Sequence, residues 1–218
     1  MQPFQVAWYN RAVDDDFQLP DLGRPSALGV LIGNTRALWP CFRNALRADP
    51  RRLEEIHPLD RYVTAAILSA LGSVALRWEV RFAHEPPPRR VAMQQLAHVA
   101  GLAHLSPSYL NVHAVYGPWI ALRAAVVMDI EGPADAPPSP PNPCPDCESD
   151  CMPRFRKASG TAGSAPSDHV AIEGRWRAWL DVRDACPVGR AHRYTDEQVR
   201  YHYTKDQEVL KRLVGDST

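Results

Sequence analysis

The chain has 218 residues, 45% of them hydrophobic and 23% charged, which is enough apolar material for one sizeable core. Lysine plus arginine and aspartate plus glutamate number 25 each, so the formal charge is zero and no basic block marks nucleic acid as a partner. The longest apolar stretches, around residues 65–76 and 119–128, are too short to cross a bilayer, and the first residues lack the basic and apolar regions of an export signal; a cytoplasmic protein is expected.

In chain order, residues 4–8 give a weak strand signal and residues 27–32 a buried strand. Helices are predicted over about 36–48 and 59–71. Leu76, Trp78, Val80 and Phe82 then alternate with Arg77, Glu79 and Arg81, the period of a strand with one buried face. A helix over 89–105 and a buried strand over 119–128 follow. Seven of the 21 prolines, from Pro133 to Pro145, crowd the next segment, which runs on through Ser159–Gly160–Thr161–Ala162–Gly163–Ser164. Residues 132–167 are therefore predicted to form a long surface excursion without helix or strand. Beyond it a C-terminal helix pair opens on a capping box, Thr195 with Gln198. The sum is an α+β domain over residues 1–131 and 168–218, with a largely antiparallel sheet and residues 132–167 inserted. No internal repeat, glycine-rich phosphate loop or Gly-x-Ser-x-Gly elbow is present.

Four features carry chemistry. Arg123 lies inside a buried strand; strict alternation puts it on one face with Trp119, Ala121, Ala125 and Val127. A guanidinium there needs a carboxylate or a bound anion, and either an internal acid or a ligand would serve. His98 and Gly101 sit at the edge of the apolar stripe of the 89–105 helix, where the glycine lets a flat ligand or a neighbouring backbone come close. Trp176, Trp179 and Arg183, at i, i+3 and i+7, would form an aromatic wall ending in a cation, or an ordinary packing stripe.

The fourth feature is Cys144–Pro145–Asp146–Cys147–Glu148–Ser149–Asp150–Cys151. With Cys41 and Cys186 it makes five cysteines, unevenly placed, which is not a disulfide framework. The spacing suits part of a zinc site, its fourth ligand drawn from His169, Asp150 or a second chain. It also suits a dithiol that cycles with a disulfide, or incidental loop thiols.

Five blocks in order then resemble one family. Pro3–Phe4–Gln5–Val6–Ala7–Trp8–Tyr9–Asn10, Ala97–His98–Val99–Ala100–Gly101 and Tyr116–Gly117–Pro118–Trp119–Ile120–Ala121–Leu122–Arg123 are similar to blocks of the CblC (MMACHC) family. So are the Trp176-to-Ala185 segment and Arg193–Tyr194–Thr195–Asp196–Glu197–Gln198. The resemblance runs from residue 3 to about 204, outside the excursion. It implies a flavin-nitroreductase-like fold with a cleft for base-off cobalamin. It implies two activities, reductive decyanation of cyanocobalamin and glutathione-dependent dealkylation of alkylcobalamins.

The resemblance further implies that His98, Gly101, Trp119, Trp176 and Trp179 lie at the cobalamin, and that Arg123 and Arg183 grip the glutathione carboxylates. Reduced FMN or FAD or a thiol would supply electrons, and a CblD-like protein would receive the product from a monomer or a ligand-dependent homodimer. A third glutathione arginine has no ungapped match; Val209 stands there, with Arg212 nearby. The positions after the helix histidine read His104, Leu105, Ser106 and Pro107. The cysteine run has no counterpart in the family pattern, so Cys144, Cys147 and Cys151 become candidate thiols for cobalt ligation, reduction or nucleophilic attack, or ligands of a zinc knot. A non-catalytic cobalamin carrier and a flavin-dependent reductase of other substrates are the rival readings.

Overall fold

The structure, a computed structural model, describes residues 1–160 and 174–215. Its centre is an antiparallel sheet in the order β1–β2–β6–β3, where β1 is Gln2–Gln5, β2 Ala27–Asn34, β3 Trp78–Phe82 and β6 Ala121–Glu131. One face is covered by α2 (Leu38–Ala48), α3 (Pro58–Leu71) and the C-terminal helices α7 (Asp196–Thr204) and α8 (Gln207–Gly215). Phe42, Leu46, Leu59, Tyr201 and Leu210 fill that layer. The other face is covered by α1 (Val6–Asn10) and α4 (Met93–Val99), which bury Tyr9, Leu96 and Ala97 against Phe4, Leu31 and Val127. Among the described residues no helix is long and apolar enough to cross a membrane.

Three elements differ from the sequence reading. The strand expected over 4–8 turns into α1 after Gln5, because Tyr9 is needed inward: its hydroxyl donates to the Phe17 carbonyl at 3.0 Å and accepts from the Ala92 amide at 2.9 Å. The helix expected over 89–105 shrinks to α4. Prolines 86–88 precede it, and Gly101 at φ +75° ends it, after which β4 (His104–Leu105) pairs with β5 (Asn111–Val112). The excursion is not free of helix either: α5 (Cys151–Ser159) forms within it. Its Phe155 and Ala158 bury against α6 (Trp176–Ala185), whose Val182 is 1% exposed, and tertiary packing overrides a poor local propensity. The Thr195 hydroxyl does accept from the Gln198 amide, at 3.3 Å.

A bulge in β6 decides where the chemistry lies. Ile32 pairs with Ala124 but the next residue, Gly33, pairs with Leu122, so Arg123 is the extra residue of the ladder. Strict alternation is broken there. Leu122 packs with Ala125 and Val127 on the α4 side, while Arg123 turns with Ala124 toward α3.

Candidate functional site

Two clefts flank the bulge. The first, about 620 Å³, is mainly apolar and is lined by Leu31, Gly33, Leu102, Ile120 and Leu122, with Gln2, Asn34, Thr35, Cys41, His113 and Tyr116 among its polar groups. The second, about 680 Å³, lies toward α3 and carries His57, Asp60, His84, Glu85, Arg90, Arg123 and Lys205. Asn34 joins them: it lines the apolar cleft, and its Oδ1 accepts from Arg123 Nε at 2.6 Å.

Arg123 is 11% exposed, and its Nη1 meets Asp60 at 3.2 Å. Asp60 also faces Lys205, at 3.9 Å. One carboxylate therefore serves two cations, and Arg123 Nη2 is buried with no partner among the described residues. Burial pushes Lys205 below its usual value, with Arg123 adding to the fall and Asp60 opposing it. Burial likewise lowers the neighbouring His202 well below an ordinary histidine, reinforced by Arg123, Lys205 and Arg183, so this side chain is neutral. With three cations, Arg90, Arg123 and Lys205, against two acids, Asp60 and Glu85, the cleft carries a small surplus of positive charge and an unsatisfied guanidinium donor, the arrangement that receives a carboxylate.

Arg183 is committed elsewhere. Its Nε donates to the Pro118 carbonyl at 2.9 Å and its Nη2 to the Ile120 carbonyl at 3.2 Å, and the guanidinium lies 4.6 Å from the Trp119 ring centroid. It fastens α6 to the segment leading into β6 and is not grouped with Arg123 in the cationic cleft. Trp119 is likewise interior, 1% exposed and edge-on to Tyr194 at 5.6 Å. The two tryptophans of α6 do not form one wall. Trp176 stacks on Tyr203 at 6.2 Å, whereas Trp179 meets Phe155 at 5.9 Å in a separate cluster.

His98 accepts the Leu105 amide at its Nδ1, 3.3 Å away, and stands edge-on to His104 at 5.6 Å. At Gly101 the close neighbour is the excursion itself: a Cβ would lie 2.8 Å from Pro137 Cβ. Val209 is core and Arg212 exposed, so neither supplies the third arginine to the cleft; Arg90 and Lys205 are the further cations found there.

Cys144, Cys147 and Cys151 line a small cavity of about 100 Å³, and Cys186, the residue after α6, lines it too. Burial pushes the Cys144 and Cys186 thiols up, and their neighbours Cys151 and Cys147 push the same way. That direction disfavours a reactive thiolate. Among the described residues no group of three or more His, Cys, Asp or Glu is arranged to hold a metal ion. His169 lies outside the described residues.

Asp60, Lys205, Asn34 and Cys186 were not legible as site residues. Each meets its partners across a long stretch of chain and belongs to no local motif.

No protein-family model matches the chain. A human protein named cyanocobalamin reductase / alkylcobalamin dealkylase is 30% identical over 240 residues, covering 97% of this chain and 74% of the relative. The mouse protein of that name is 29% identical, covering 97% and 75%. Among solved structures, the C. elegans B12-trafficking protein CblC, a human MMACHC homologue, superposes with a TM-score of 0.73 at 19% identity, over 100% of this chain and 90% of that one. With near-complete coverage of its sequence by these relatives and a shared fold, this chain belongs to the CblC (MMACHC) family of cyanocobalamin reductases / alkylcobalamin dealkylases.

Proposed function

We propose that this protein binds cobalamin base-off and removes its upper axial ligand, by thiol-dependent dealkylation and by reductive decyanation, for delivery to B12-dependent enzymes. The observation that carries the reading is Arg123: a half-satisfied buried guanidinium in a cationic cleft, bonded through Asn34 to an apolar cleft beside it. The apolar cleft suits a corrin face, and the cationic one suits the carboxylates of glutathione.

In dealkylation the glutathione thiolate attacks the carbon bound to cobalt. A carbon–sulfur bond forms, the cobalt–carbon bond breaks, and its electron pair stays on the metal, giving a thioether and cob(I)alamin. Arg123, Arg90 and Lys205 would hold the tripeptide so that its sulfur meets the substrate carbon, which converts an encounter between two solutes into a positioned reaction. In decyanation one electron from a reduced flavin or a thiol converts the cobalt(III) substrate to cob(II)alamin, and cyanide leaves. A CblD-like protein would receive the product from a monomer or from a homodimer formed on ligand binding.

The test is a visible spectrum of the protein with methylcobalamin under anaerobic conditions, with and without glutathione. The expected result is a base-off spectrum that changes to reduced cobalamin only when thiol is added, with Arg123→Gln raising the glutathione KM by about tenfold or more. A base-off spectrum left unchanged by thiol for the alkyl form, and by thiol and reduced flavin for the cyano form, would make the protein a carrier. A tightly bound flavin with indifference to cobalamin would make it a reductase of another substrate.

A further inference from the structure

We propose that Cys144, Cys147, Cys151 and Cys186 form a four-thiolate zinc site that fastens the excursion to the end of α6. Four of the chain's five cysteines line one cavity, although Cys186 is 35 residues beyond Cys151, the last of the other three; the fifth, Cys41, is exposed on α2. The local backbone is arranged for it. The Cys147 amide donates to the Cys144 carbonyl at 3.2 Å, a turn that brings both thiols of the C-x2-C pair to one side. Cys151 opens α5 and Cys186 follows the last residue of α6.

The two helices run antiparallel: Arg175, just before α6, donates to the Ala158 carbonyl near the end of α5, and Phe155 meets Trp179 between. The thiols thus gather at the opposite end of the hairpin, in a cavity whose remaining lining is mainly apolar, with Leu110, Val112, Met152 and Val188. Four soft sulfur donors in a small half-buried space select a d10 or iron–sulfur centre over a hard cation, and four thiolates in a tetrahedron are the ordinary structural zinc site. As the ion enters, four thiol protons leave to solvent, four zinc–sulfur bonds form, and nothing is oxidised.

The position has a consequence for the clefts. The turn after Cys186 presses on Gly117, where any Cβ would overlap the Val188 carbonyl, and the preceding residue, Tyr116, lines the apolar cleft. Arg183, three residues before Cys186, holds the Pro118 and Ile120 carbonyls. Zinc would therefore brace the back wall of the site without touching a ligand.

The experiment measures metal, not turnover, so its failure leaves the cobalamin reading standing. The protein, purified under reductant and without chelator, should hold about one zinc per chain. Cobalt(II) exchanged into it should show the absorption of tetrahedral thiolate coordination. Cys186→Ser should weaken zinc binding more than about 100-fold, while Cys186→His, which keeps a ligand, should retain it. Cys41→Ser, Asp150→Asn and His169→Ala should bind zinc as the parent does. Zinc binding indifferent to Cys186→Ser, or a zinc-free parent with these thiols paired as disulfides or holding iron and sulfide, would overturn the proposal.

Discussion

The Asp60 carboxylate stands between two cations, 3.2 Å from Arg123 and 3.9 Å from Lys205, and is the acid that balances both. Its side chain is 17% exposed and that of Arg123 11%, so water screens the pair poorly. Replacing Asp60 with asparagine keeps the shape and removes the charge. Stability should fall by about 3 kcal/mol, because a buried guanidinium is left uncompensated. Added glutathione should restore more stability to D60N than to the parent, since the ligand's carboxylate takes the vacated role. Urea unfolding with and without the tripeptide checks both, and a loss below about 1 kcal/mol would mean that solvent in the cleft screens these charges after all.

Lys205 offers the opposite separation of stability and binding. Its backbone is left-handed, φ +52°, at the end of α7, a conformation that costs a side chain about 1 kcal/mol relative to glycine. The ammonium is depressed by burial, so at neutral pH its charge opposes folding; that cost disappears as pH rises through its folded value toward 10.5. Lys205→Gly should therefore stabilise the protein at pH 7, with a smaller gain at about pH 10, yet weaken glutathione binding. A variant that loses stability at neutral pH would show that the Asp60 contact outweighs both effects.

Acid should reveal His202. Its folded proton affinity lies well below the unfolded value of 6.5, so the unfolded chain takes up a proton that the folded one refuses. The stability is present above pH 6.5 and is lost as pH falls from there, with a slope of about 1.4 kcal/mol per pH unit until the folded group titrates. His104 and His113, also depressed mainly by burial, add in the same sense. His202 Nε2 has no partner among the described residues and the ring stacks on Tyr194 at 5.2 Å, so His202→Phe should fit and flatten the profile between about pH 6.5 and 5. An unchanged slope in H202F would assign the acid sensitivity to other groups.

The central strands were readable because their signals are local: the alternation of Val80 and Phe82 and the apolar run ending at Met128 need no partner to be seen. The presence of Arg123 in a buried strand was equally visible, and the demand for a counter-ion followed from its charge. Its face was not, since the bulge is a property of the pairing between β2 and β6 and leaves no mark on either strand alone. Asp60 reads as an ordinary first-turn acid of α3, and only the fold places it against a residue 63 positions away. Helix α5 was hidden for the same reason, because what stabilises it is Trp179 and Val182 of another helix.

Arg123 and Arg183, one strand face and one helix apart, should respond differently to the same substitution. Lysine keeps the charge but lacks the planar fork. At position 183 the fork spans the Pro118 and Ile120 carbonyls and lies over Trp119, contacts that a lysine cannot reproduce together. R183K should therefore lower stability by about 1–2 kcal/mol while leaving the glutathione KM within about twofold, as expected of a group that positions β6. At position 123 the lysine would keep its attraction to Asp60 but lose Asn34 and the free Nη2. R123K should raise the glutathione KM by about tenfold, with kcat for cyanide removal by a non-thiol reductant little changed. Equal effects of the two variants on KM would restore Arg183 to the ligand-binding set, and would mean that glutathione pulls it away from the carbonyls that it holds in the free protein.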